Sequence, residues 1–221
     1  MHWKDEGYLL SKNNFEENSI IIEAFTLHHG KYTGIVYGGS SRKQKKNFQV
    51  GNKISLSWKS KSEGKIGYFS VELIRAIAPA FFEDKKKSIC IFTASSILKI
   101  LLPDRQINKK IYLSFEKMIN QLNLEGWIKL YVLWELSLIK ELGFDINLNS
   151  YHNLMENKQT IEINNKTYKI PNLLLLNDNN FTNHDIRESL IFNKNLLMEN
   201  FIIPNNLKLP FSRNLLEKYY L

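Results

Sequence analysis

Residues 19–46 read SIIIEAFTLHHGKYTGIVYGGSSRKQKK, and the order of features in this stretch decides the fold. Two short runs rich in β-branched and aromatic residues, Ser19 to Phe25 and Tyr32 to Tyr37, flank the turn material His28-His29-Gly30. Runs of this length bounded by glycine read as neighbouring strands. The second run gives way to Gly38-Gly39-Ser40-Ser41 and then to the cations Arg42, Lys43, Lys45 and Lys46. A basic loop leaving a strand end is the first functional lead.

The same grammar extends outward. Tyr8-Leu9-Leu10 precedes the stretch, and Ile54 to Trp58 and Ile66 to Ile74 follow it. Lys12-Asn13-Asn14, Gly51-Asn52 and Glu63-Gly64 supply the predicted turns. Five or six strands with such short loops favour a small closed barrel over a sandwich, because closure removes exposed edges. A five-stranded oligonucleotide-binding (OB) barrel fits the length. Periodicity does not separate it from an SH3-like barrel.

After Pro79 the period changes to that of helices. Ser88 to Leu102 is predicted helical and closes at Pro103, and a second helix is expected from about Lys109 to Leu122. Trp127, Tyr131, Trp134, Leu138 and Leu142 recur at helical spacing, with Gly143 as the stop. An aromatic stripe of this kind reads as core. Residues 144–180 are Asn-rich; within them Thr160–Ile163 and Lys166–Ile170 flank Asn164-Asn165, a hairpin signal. Helices from Asp185 to Phe201 and from Ser212 to Leu221 complete the pattern. The fold class is α+β: a five-stranded barrel, then an α-helical domain carrying a small hairpin. The boundary is placed between residues 80 and 81.

Composition narrows the function. With 221 residues and 43% apolar content the chain can bury a proper core. Its single cysteine, Cys90, excludes an internal disulfide framework and a thiolate metal site, and reads as a small buried helix residue. The opening MHWKDEGYLL is charged too early for a signal peptide, and no apolar run reaches the ~20 residues of a membrane span. A cytoplasmic, nucleoid-associated protein is expected, with no membrane partner and no small-molecule substrate.

The net charge is +8, but Lys, Asn and Ile each occur 25 times, a skew typical of AT-rich coding. Clustering therefore carries more weight than the total. Between Arg42 and Lys65 lie eight basic residues against one acid, Glu63. Lys53, Lys59, Lys61 and Lys65 sit on or beside predicted strands, close to Trp58 and Tyr68. Cations interleaved with aromatic faces suit sequence-independent binding of nucleic acid. Trp58 taken alone reads as barrel filler.

Catalytic constellations are scarce. His28 and His29 are adjacent in a turn without further ligands, and Gly38-Gly39 lacks the Gly-Lys-Ser/Thr ending of a phosphate-binding loop. Asp5 and Glu6 have no convergent carboxylates to make a nuclease. The chain reads as a binder rather than an enzyme, with no cofactor and no metal.

WKDEGYLLS at the start, SIIIEAFTLHHGKYTGIVYGGSSRK, FQVGN, the LLP turn at Leu101–Pro103 and YVLWELSLIKELGFDINL occur in an order that resembles the RecO family of bacterial recombination mediators. The alphaproteobacterial branch is the most similar. The resemblance implies an N-terminal OB-fold DNA-binding domain over residues 1–80 and a helical domain over 81–221. It implies binding of single- and double-stranded DNA, annealing of complementary strands, contact with RecR and with the C-terminal tail of single-strand-binding protein (SSB), and help in loading RecA, without nucleotide hydrolysis. Arg42, Lys43, Lys45 and Lys46 match the family's basic loop after the third strand.

Two departures stand out. Many members carry a four-cysteine zinc element where residues 144–180 contain no cysteine, so this region is a degenerate zinc element and a metal-free protein is expected. Relatives often place arginine before the aromatic-Glu-Leu of the long helix, a position occupied here by Leu133. Lys129 and Lys140, with Trp134, are then the expected contacts for the SSB tail. The readings set against this one are an RNA-binding OB protein and a non-enzymatic interaction scaffold.

Overall fold

The computed structural model describes residues 1–42, 44, 46–62, 65–144, 160–163, 166–175 and 180–221. They divide into two compact units, Met1–Leu113 and Ser114–Leu221. In the first, five strands close a barrel: β1 (His2–Phe15), β2 (Ser19–Thr26), β3 (Gly30–Tyr37), β4 (Lys53–Lys59) and β5 (Gly67–Arg75), ordered β1-β2-β3-β5-β4. Every pairing is antiparallel except β3 with β5, where Gly34↔Gly67 and Ile35↔Tyr68 pair in parallel. That order is the Greek-key arrangement of an OB barrel. The SH3-like alternative falls away.

Alternation builds the barrel. In β4, Ile54, Leu56 and Trp58 point inward while Lys53, Ser55, Ser57 and Lys59 point outward. Leu9, Ile20, Ile22, Ala24, Val36, Phe48 and Phe69 complete the interior. Each large side chain buried there contributes roughly 1.5–3 kcal/mol. β2 is buried on its inner face and partly covered on its outer one, where Phe25 lies 5.5 Å from Tyr112, as does Tyr8.

β1 departs from expectation. Tyr8-Leu9-Leu10 is only the middle of a strand of 14 residues. Its polar start pairs with β4 (His2↔Lys59 to Tyr8↔Lys53), and Asn13 and Asn14 pair with Ile21 and Ile20. The turn therefore falls at Glu16-Glu17-Asn18, with Glu16 at φ +50°, and not at Lys12-Asn13-Asn14. A strand serving two partners, bent by a bulge between Leu9 and Ser11, has polar ends that mask it.

The helix α1 (Lys85–Leu101) starts three residues earlier than predicted, because the Asp84 side chain accepts from the Lys87 amide at 3.1 Å. Three lysines in that first turn oppose the helix dipole and conceal the start. Cys90 is fully buried on α1. The helix α2 (Lys109–Asn120) runs from the first unit into the second.

The second unit holds α3 (Trp127–Glu141), the hairpin β6 (Thr160–Ile163) and β7 (Lys166–Lys169), a short α4 (Asn172–Leu175), α5 (Asn183–Leu197) and α6 (Phe211–Lys218). Gly143, at φ +100°, ends α3, donating its N–H to the Lys140 carbonyl. Thr182 and Asp185 form a capping box at α5, which passes into a π-helical turn over Met198–Ile202. The hairpin signal at Asn164-Asn165 lies outside the described residues; the strands flanking it pair as expected. At the centre of this unit Arg213 and Glu135, both fully buried, form an ion pair. Among the described residues no helix is long and apolar enough to cross a membrane.

Candidate nucleic-acid interface

The basic loop leaves β3 at Tyr37 and is built from repeated tight turns. The Ser41 amide donates to the Gly38 carbonyl, the Gln44 amide to Ser41 and the Asn47 amide to Gln44, at 3.2, 3.0 and 2.8 Å. Its far end is anchored in the barrel. Phe48 is 1% exposed and packs in the interior, a contribution of roughly 2–3 kcal/mol. Buried Asn52 donates to the Asn47 carbonyl at 3.2 Å and accepts from the Ile77 and Ala78 amides at 2.9 and 3.1 Å. Arg42 and Lys46 are exposed on this anchored loop, whereas Lys43 and Lys45 lie outside the described residues.

A second cationic surface covers the outer face of β1, β4 and β5. Register aligns His2, Lys59 and Tyr68 in one row, Lys4, Ser57 and Ser70 in the next, and Glu6, Ser55 and Glu72 in the third. The face is therefore graded, cationic and aromatic at one end and acidic at the other. A cavity of about 580 Å³ follows it, lined among others by Lys4, Ser57, Lys59, Tyr68 and Glu72. A second of about 410 Å³, lined by His2, Lys59, Lys61 and Tyr68, continues it past the end of β4. Among the described residues, Lys4, Lys59 and Lys61 have no carboxylate within ion-pair distance.

Two aromatic side chains join these surfaces. Tyr37, the last residue of β3, stacks on Tyr68 with ring centroids 5.1 Å apart and planes at 19°. The neighbouring Tyr68 hydroxyl, by hydrogen bonding, holds the Tyr37 phenol above its usual range, so it stays neutral.

The predicted residues therefore separate. Lys59, Lys61 and Lys65 are exposed at the β4–β5 end. Lys53 is half-buried at the acidic end and meets Glu6 at 3.1 Å, so much of its charge is already balanced. Trp58 is inside the barrel, 5.7 Å from Trp3 and 5.3 Å from Tyr32. Lys4, His2 and Tyr37 were missed by sequence reasoning. Only their register against β4 and β5 brings the first two to the face; the alternation of β1 would have hinted at Lys4.

The histidine turn is structural. His29 stacks on Trp3 with centroids 4.1 Å apart and meets Asp5 at 2.9 Å. Burial pushes the Asp5 carboxyl up, but hydrogen bonds from His29 and from the His28 and Glu6 amides outweigh it and hold it below the usual carboxylate range. In the helical unit, Lys129 is half-buried and Lys140 exposed on α3, while Trp134 is buried against Phe115 and Tyr131. Leu133 is exposed. The Glu of the aromatic-Glu-Leu segment, Glu135, is the buried partner of Arg213, a pairing between residues 78 apart in sequence.

The strand order and the helices that follow define an OB-barrel protein with a helical extension. The family description Recombination protein O N terminal matches residues 1–77, and Recombination protein O C terminal matches residues 83–188. The chain is similar to the DNA repair protein RecO of Roseobacter denitrificans, 34% identical over 152 residues, which cover 68% of this chain and 63% of that one. Those of Cereibacter sphaeroides (34% over 148 residues; 67% and 62%) and of a Ruegeria species (32% over 151 residues; 68% and 63%) match similarly. The matched stretch thus spans less than two thirds of these relatives' length. The chain belongs to the RecO family.

Proposed function

We propose that this chain is a non-enzymatic DNA-binding mediator of recombinational repair. The observation that carries the reading is the cationic surface on the barrel, Arg42 and Lys46 on the anchored loop and Lys4, Lys59 and Lys61 on the graded face. Relatives bear the name DNA repair protein, which agrees with it. On this reading residues 1–80 bind single- and double-stranded DNA, with Lys43, Lys45 and Lys65 as further phosphate-binding residues. Cations neutralise phosphates on two strands, reducing their repulsion so that complementary strands pair. The helical domain, residues 81–221, engages RecR and the SSB tail, whose carboxylates meet Lys129 and Lys140. The protein is then recruited where SSB covers DNA and helps load RecA there.

The deciding experiment is annealing of SSB-coated complementary strands, with full-length SSB and with SSB lacking its C-terminal tail. Stimulation is expected only with the tail present; no stimulation on either would sink the mediator reading. Changing Lys4, Lys59 and Lys61 to Gln should reduce the slope of log affinity against log salt by about 2, at ~0.7 per phosphate on a single strand. An unchanged slope would remove this face from the DNA path. Matched RNA oligomers bound more tightly than DNA would favour a role on RNA instead.

A further inference from the structure

The Tyr37–Tyr68 pair lies where the barrel closes: Tyr68 pairs with Ile35 in the short parallel contact of β3 with β5, and Tyr37 is two residues further along β3. Tyr37 is 64% exposed and Tyr68 38%. Two exposed rings stacked on each other offer a flat aromatic face, and their surroundings limit what it fits. Tyr68 lines both cavities of the graded face beside Lys59, and the second of them also contains Lys61. Tyr37 leads straight into the basic loop. Positive charge thus flanks the Tyr68 side of the pair, while the Glu16 carboxylate acts on Tyr37. Flat aromatic faces edged by cations suit a flat aromatic group on an anionic backbone.

We propose that Tyr37 and Tyr68 form a stacking platform for an unpaired base of a DNA strand whose phosphates run along Lys59 and Lys61. The inference rests on the DNA-binding reading and deepens it. It assigns a preference for single-stranded over duplex DNA to two named side chains. A duplex base is already stacked on its neighbours and cannot reach the platform, whereas its phosphates still meet the lysines. The tyrosine hydroxyls play no part, so the ring and not the phenol is what matters.

The test uses fluorescence anisotropy of the full chain with three labelled probes. These are an oligothymidine of about 15 nucleotides, an abasic oligomer of equal length and charge, and a duplex of equal length. The wild type is expected to bind oligothymidine more tightly than the abasic strand. Tyr37→Ala and Tyr68→Ala should each lose roughly 5- to 150-fold on oligothymidine, the span of one base stacked on one ring, and little on the other probes. Tyr37→Phe and Tyr37→Trp should keep the wild-type preference. Thermal melts of each variant separate loss of binding from loss of fold. Equal wild-type affinity for the base-bearing and abasic strands, or variants weakened equally on all probes, would overturn the platform and leave phosphate binding standing. Absence of salt-dependent binding to any probe would overturn the DNA reading itself, and the platform with it.

Discussion

Removing Arg213 should strongly destabilise the helical unit. Arg213 Nε donates to Glu135 Oε1 at 2.6 Å and Nη2 to Oε2 at 3.0 Å, while Nη2 also donates to the Leu190 carbonyl at 2.5 Å. Tyr131 adds a fourth bond, its hydroxyl donating to Glu135 Oε1 at 2.9 Å. Burial works against the guanidinium charge, but the adjacent carboxylate outweighs it and holds Arg213 firmly protonated. In Arg213→Met the Glu135 carboxylate stays buried with only Tyr131 to satisfy it. Breaking a buried pair in this way costs about 3–5 kcal/mol. For a chain of this size that is a fall in Tm of roughly 6–20 °C.

The double variant Glu135→Leu with Arg213→Met removes both charges and takes away the carboxylate that the Tyr131 hydroxyl donates to, a loss of about 1 kcal/mol, while the Leu190 carbonyl stays within α5. It should therefore be more stable than either single variant by about 1–3 kcal/mol, and the coupling energy, which is the cost of the double variant minus the summed costs of both singles, should be larger still. The assay is urea unfolding followed by far-UV ellipticity, which reports the helices. A single variant costing under ~1 kcal/mol, or a double variant no better than the singles, would refute the claim that this pair organises the unit.

Two further outcomes follow from the barrel. Asp5 is depressed in the fold, so its contribution to stability is present above the unfolded carboxylate range near about pH 4 and is lost as pH falls through its lower folded value. The Tm difference between wild type and Asp5→Asn should therefore shrink in acid, and a difference constant down to strong acid would exclude the linkage. Gly30, at φ +77°, has no room for a side chain: a Cβ there would lie 2.1 Å from the Gln106 carbonyl oxygen. Gly30→Ala should cost at least about 1–2 kcal/mol from the left-handed backbone alone, and a urea midpoint equivalent to less than ~0.5 kcal/mol would contradict the packing.

Much of the barrel was legible because β2 to β5 alternate or run apolar between turn residues. β1 was not, since its polar ends are satisfied by two different partners and carry no apolar signature. The choice between OB and SH3-like barrels was equally hidden, because it depends on β3 meeting β5 in parallel across 29 intervening residues at its start. In the helical unit the aromatic stripe of α3 announced core, and Trp134 is indeed buried. Glu135 on the same helix gave no sign of its partner.

The cations were legible as a cluster but not as a surface. Lys53 and Lys59 stand on one face of one strand, yet Lys53 meets Glu6 while Lys59 opens onto Tyr68, and linear spacing treats them alike. By itself the sequence determined the period of each element, the basic loop after β3 and the absence of a thiolate site, all of which depend on residues near one another in the chain. Only the tertiary structure decided which cations share a face, that Lys4 and His2 belong with them, that Tyr37 meets Tyr68, and that Arg213 balances Glu135. Those depend on strand register and on pairings between distant residues, where burial and charge are set by neighbours that local sequence does not contain.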